Sequence, residues 1–189
     1  YMRRHRDPPK GYHAYAYVHP YGPLESLLAT DLQCDYFLGA VEEGRAMGIH
    51  VEPYPFDSNA SLVETLRIIF HRGIRGVLLA IVPARIANVF EVKADWSRFT
   101  VVSLGDSERP PLFHEVLTDS FRNAMTAFKQ LLKRGYRRPG LVLTEDLNSR
   151  TAGKWTAAFL YRQFRDLPPE DRIPPLVSDQ LAETLPGWY

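Results

Sequence analysis

Apolar and polar residues alternate along this chain at two different periods, and the places where the period changes mark its elements. In residues 119–133, Phe121, Met125, Phe128 and Leu132 return every three or four positions with Arg122, Lys129 and Lys133 between them, the spacing of a helix with one buried face. Asp119 and Ser120 stand where an N-cap belongs. Lys133, Arg134 and Gly135 close the helix with charge that suits its dipole and a residue that tolerates left-handed backbone. After Pro139, residues 140–143 are too few for a helix and apolar at successive positions, which predicts a parallel strand covered on both faces. A polar loop then holds Glu145, Asp146, Asn148, Ser149 and Arg150, and a further helix follows in which Trp155 and Phe159 share the core side.

The same grammar runs upstream. Residues 14–18 form a short strand, 35–47 a helix with Phe37, Ala40, Val41 and Gly44 on one face, and 49–56 a second strand. Residues 61–71 form a helix burying Leu62, Leu66, Ile69 and Phe70, and 76–82 the most apolar strand of the chain. A weaker helix is expected at 84–91, a strand at 99–104 and an extended piece at 115–118. Strands alternating with helices make this an α/β chain with a doubly wound parallel sheet. Ligands of such sheets bind outside the carboxyl ends of the strands. Near the end, 176–178 would be a strand with little chain left to pair with, and 180–185 a helix without support.

Composition narrows the picture only slightly. With 189 residues and 45% hydrophobic content, the chain suits about one domain or a little more. Its 23 basic and 22 acidic residues nearly cancel, leaving +1, so no global field for nucleic acid or membrane is present. The single cysteine, Cys34, reads as a small buried hydrophobe and fits a reducing, cytoplasmic setting. No apolar run reaches the roughly 18 residues of a membrane span, so no membrane partner is expected. Motifs for dinucleotide or phosphate loops, a serine elbow or a zinc-binding histidine pair are absent, and the six histidines lack metal-ligand spacing. The expectation is therefore no enzyme, no metal and no cofactor.

The helix opening at Asp119, the turn and strand RGYRRPGLVL, and the stretch Ser149, Arg150, Ala152, Gly153 together resemble the effector-binding domain of the lactose repressor family of bacterial transcription regulators. Arg150 and Gly153 match that family's arginine three residues before a glycine, while Gly135–Tyr136 stands where the family has Gly-His. The helix and strand YFLGAVEEGRAMGIHV and the strand RGIRGVLLAIVP extend the resemblance over residues 12 to about 164. It implies a periplasmic-binding-protein-like fold of two subdomains: residues 1–11 as a linker from a DNA-binding region, 12–147 as the N-terminal subdomain, and 148–189 as the beginning of the C-terminal one. It further implies a small-molecule effector in the inter-subdomain cleft, a carbohydrate or derivative of one, together with operator DNA bound through a region outside this chain and a homodimer.

Arg150 is the leading candidate for effector contact, because a guanidinium offers five donors in a fixed fork and can hold paired hydroxyls or an oxyanion. Asp146, four residues earlier, can accept hydroxyls and orient that guanidinium, or pair with it as surface charge. Asp119 can accept a ligand hydroxyl or cap its helix, and the cap is favoured. Asp106 ends the fourth strand on the same side of the sheet. Tyr21, in the loop after the first strand, offers an aromatic face for a sugar. The alternative from another class is a solute-binding protein of a transport system, which shares the two-subdomain fold.

Overall fold

The computed structural model describes residues 13–82, 92–105 and 113–188. The helix expected at 84–91, the basic segment 1–11 and the candidate Asp106 lie outside the described residues. The chain divides into two compact units, the first holding residues 13–105 and 113–116, the second residues 117–188. This division follows packing and falls before the helix at 120–133; the boundary expected at 147/148 lies within the second unit.

The first unit is built on a parallel sheet in the order β2-β1-β3-β4-β5, from β1 (His13–His19), β2 (Ile49–Pro55), β3 (Gly76–Leu79), β4 (Thr100–Leu104) and β5 (His114–Val116). Each neighbouring pair is parallel. β2 lies at the edge, where Pro53 and Pro55 withhold no ladder bond that a central strand would need. β1 shows why helices cover both faces. Ala16 and Val18 pack with Leu62, Leu66 and Ile69 of α3 (Asn59–His71), while Tyr17, pointing the other way, packs with Leu27 of α1 (Leu24–Leu28) and Phe37 of α2 (Asp31–Ala46). Each fully buried Leu or Ile contributes about 1.5–3 kcal/mol here. The doubly wound parallel fold expected from the sequence is therefore the one observed.

Local sequence sets the joints. Ser58 and Ser61 form a reciprocal capping box at the start of α3, and Asp57 accepts from the Ser61 hydroxyl at 2.8 Å, which together with Ser58 holds its carboxyl below the usual range. Gly44, on the predicted face of α2, is buried so closely against β2 that a Cβ there would stand 2.8 Å from Val51 Cγ2 and 3.0 Å from the Ile49 carbonyl. Three expectations change in this unit. The loop after β1 contains α1, and α2 begins at Asp31 rather than Asp35. Phe70 is only half-buried, its ring carrying Arg75 at 4.0 Å and Arg98 at 4.8 Å.

The second unit pairs β6 (Val142–Leu143) in parallel with β7 (Leu176–Val177), with α4 (Ser120–Lys133), α5 (Glu145–Arg150), α6 (Lys154–Asp166) and α7 (Leu181–Thr184). Its core is Phe128, Phe159 and Leu167, with Leu132 and Leu141 packed against them. Three corrections arise. Phe121 is 42% exposed, because the buried face of α4 runs through Ser120, Ala124 and Phe128. The 176–178 strand does find a partner, β6. The end of the chain is also anchored: Trp188 Nε1 donates to the Pro174 carbonyl at 2.8 Å, and its ring covers Gly140, where a Cβ would come within 2.5 Å.

Candidate functional site

The strand order of the first unit reverses direction at β1, with β2 on one side and β3 on the other. The carboxyl ends of β1 and β3 are thus the switch point at which doubly wound sheets take ligands. Tyr21 bridges that point: its hydroxyl donates to the Ile81 carbonyl at 2.8 Å. Its ring lies stacked on His19 at 6.2 Å between centroids. Tyr21 is half-buried in the cluster around Tyr17, so one face of the ring is already in use.

His19 is a residue whose role the sequence did not isolate. It is fully buried at the last position of β1, its Nδ1 3.4 Å from the Tyr21 N–H, and its Nε2 has no partner among the described residues. Burial drives its pKa down to about 4. Tyr17 OH and Gln33 Oε1 are likewise buried without partners among the described residues, and burial raises the Tyr17 pKa strongly.

In the second unit the carboxyl end of β6 leads directly into α5. The stretch expected as a polar loop is a helix, since Thr144 accepts from the Leu147 N–H at 3.2 Å and supplies the N-cap. The helical turn brings Asp146 and Arg150 together, with Arg150 Nε 3.7 Å from Asp146 Oδ2 and the side chains 28% and 51% exposed. This is the pairing that the four-residue spacing allowed, at a distance too long for a direct hydrogen bond. Asp119 serves as the N-cap of α4, its Oδ1 accepting from the Arg122 N–H at 2.9 Å. That occupies one of its carboxylate oxygens.

The junction after Arg150 is tightly held. Thr151 is buried and its hydroxyl donates to the Leu147 carbonyl at 2.8 Å; Asn148 accepts the Gly153 N–H on its carbonyl at 2.8 Å and the Thr156 hydroxyl on Oδ1 at 2.7 Å. To make this turn, Ala152 adopts φ 50° and Gly153 φ 65°. Left-handed backbone costs alanine about 1 kcal/mol relative to glycine. Ala152→Gly is accordingly expected to raise the stability of the second unit by about 0.5–1 kcal/mol, read as a higher urea midpoint; a lower midpoint would show that the strain is not stored at this residue.

A second polar cluster lies by the amino ends of the strands, where Ala14, Glu52, Arg72, Gly73 and Ile74 line a shallow depression. Arg72 pairs with Glu52 at 2.7 Å and donates to the Tyr54 hydroxyl, which in turn donates to Glu52 at 2.9 Å. Burial and the bond to Glu52 push the Tyr54 pKa up to about 12. The charges satisfy one another, and the cluster ties β2 to the end of α3. Among the described residues, no group of three or more His, Cys, Asp or Glu side chains is placed to hold a metal ion. No helix among them is long and apolar enough to cross a membrane.

No protein-family profile and no curated protein matches this sequence. Solved structures do. A protein from Rhizobium etli described as a LacI-family transcriptional regulator is 17% identical with a TM-score of 0.65, the match covering 87% of this chain and 56% of that one. A LacI-family regulatory protein from Chloroflexus aggregans is 22% identical at TM-score 0.57, covering 88% and 58%. The trehalose repressor from Escherichia coli is 20% identical at TM-score 0.56, covering 88% and 60%. The chain thus spans somewhat more than half the length of these structures. At such identities the likeness is one of fold, and the fold of this chain is the one that these regulators use.

Proposed function

We propose that this chain is the ligand-sensing core of a transcription regulator of the lactose repressor type and that its effector is a sugar or sugar derivative. The observation that carries this reading is the position of Arg150. The residue that the family resemblance assigns to effector contact stands at the end of α5, the short helix that follows the carboxyl end of β6, partly exposed, with Asp146 as a loosely paired carboxylate one turn before it. Guanidinium and carboxylate together offer fixed donors and acceptors for vicinal hydroxyls. The fold likeness over nearly nine-tenths of the chain supports the same reading. Placing the effector between subdomains rests on the family resemblance alone.

In this mechanism the effector favours one arrangement of a homodimer and so changes its affinity for operator DNA, read by a segment outside residues 1–189. A coupling of about 1–3 kcal/mol between the two sites is sufficient. The reading gives no role to catalysis.

Titration calorimetry with trehalose, maltose, sucrose, D-glucose and D-galactose tests it. Arg150→Ala should weaken the binding of a recognised sugar by one to two decades, the loss of about 1.5–3 kcal/mol for a charge-assisted hydrogen bond, with an unchanged far-UV spectrum. Equal affinity of variant and parent sinks the site, and failure of the whole panel to bind sinks the sugar class.

A further inference from the structure

We infer that Asp179 is a positioning residue for Arg150, acting through the first turn of α5. This rests on the reading of Arg150 given above. The ladder between β6 and β7 runs from the Leu176 N–H, which donates to the Leu141 carbonyl at 2.8 Å, to the Ser178 N–H, which donates to the Leu143 carbonyl at 3.0 Å. Beyond Leu143 the backbone turns into α5 and the sheet ends. The next connection is made by a side chain: Asp179 Oδ1 accepts from the Glu145 N–H at 3.0 Å across 34 positions of sequence.

Glu145 is the first residue of α5, and N–H groups of a first helical turn have no acceptor within the helix. Thr144 takes the Leu147 N–H, and Asp179 takes that of Glu145. A helix of six residues does not hold its own shape, so its direction is set by what grips its ends. At the far end the grip is the web around Asn148, Thr151 and Thr156. At the near end it is Thr144 and Asp179. The loop that carries Asp179 is itself held, since Ser178 Oγ accepts from the Gln180 N–H at 3.0 Å. Asp146 and Arg150, one turn apart, ride on the segment between these grips. Asp179 therefore fixes where the guanidinium lies, and the loop after β7 feels any ligand that pulls on α5.

The test needs no effector. In the full chain, NMR reads the exchange rate of the Glu145 amide and the position of the Arg150 Nε–H resonance for Asp179→Ala and Asp179→Asn. Alanine removes the acceptor; asparagine keeps an oxygen in the same place. With alanine, the Glu145 amide should exchange about fivefold faster, the factor expected for loss of a side-chain cap, and the Arg150 resonance should move; with asparagine both should stay near the parent values. The proposal is overturned if alanine speeds exchange at Glu145 but leaves the Arg150 resonance in place, if it alters neither, or if asparagine behaves like alanine. Loss of the sugar-binding role of Arg150 in calorimetry would leave this spectroscopic result standing, so the two failures are separable.

Discussion

Replacing Phe128 by alanine is expected to unfold the second unit while leaving the first intact. Phe128 is at the centre of a core whose other buried members are Phe159 and Leu167. Its ring meets Phe159 edge-on at 5.4 Å and lies under the Arg162 guanidinium at 6.0 Å. Arg162 is itself largely buried and paired with Asp166 at 2.7 Å, so the cavity would open beside an ion pair that depends on tight packing. A Phe→Ala change in a core costs about 3–5 kcal/mol. The described part of this unit runs only from 117 to 188, a size at which total stability is often no greater than that. Hydrogen exchange read by mass spectrometry separates the units: peptides from α4 and α6 should lose protection in the variant, while those from β1 and α3 keep it. Phe128→Leu, which retains most of the volume, should preserve protection throughout. Equal protection of α6 in parent and alanine variant would mean that the unit is held by something other than this cluster.

Much of this fold was legible because local period and global position agree. The strands of the first unit are short apolar runs between helices whose apolar residues recur at helical spacing, and Leu62, Leu66 and Ile69 are buried together against β1 as that spacing requires. Where the sequence misled, tertiary geometry had overridden a local cue. Phe121 fits the helical spacing of α4, yet the buried face passes through Ser120 and Ala124, small residues that hydropathy undervalues. Residues 145–150 are polar apart from Leu147 and read as loop; they are helical because Thr144 and Asp179 cap them, and the second of these is 34 positions from Glu145. Residues 24–28 likewise turn helical with Leu27 fully buried, which a count of polar and apolar neighbours in a loop would not show.

The candidate site divides in the same way. Asp146 and Arg150 were readable as a pair because their spacing is one helical turn, and Asp119 was readable as a cap because its position relative to the apolar run is typical of one. Tyr21 was readable only as an aromatic residue in a loop. Its bond to the Ile81 carbonyl joins residues 60 positions apart, and nothing local encodes it. His19 was hidden for a related reason. One histidine after an apolar strand gives no sign of whether it faces water, and here it is fully buried beside Tyr17 and Tyr21.

That burial leads to the second large effect: acidification should weaken the first unit before ordinary carboxylates titrate. In the fold His19 binds a proton only near pH 4, because a buried imidazolium without a partner for Nε2 is poorly solvated, while in the unfolded chain it does so near its ordinary value of 6.5. Between those values the unfolded chain carries a proton that the folded one does not, so stability is full above about pH 6.5, falls as the pH drops, and levels off below about 4. The difference corresponds to a loss of about 3 kcal/mol across the window. Asparagine in place of His19 retains an acceptor for the Tyr21 N–H but does not titrate. Urea unfolding of the first unit, followed by exchange of β1 and α3 peptides at intervals from pH 7 to 4.5, should show the parent losing stability faster than His19→Asn. Parallel curves for the two proteins would assign the acid sensitivity elsewhere and show that the closure over the end of β1 admits a charged ring.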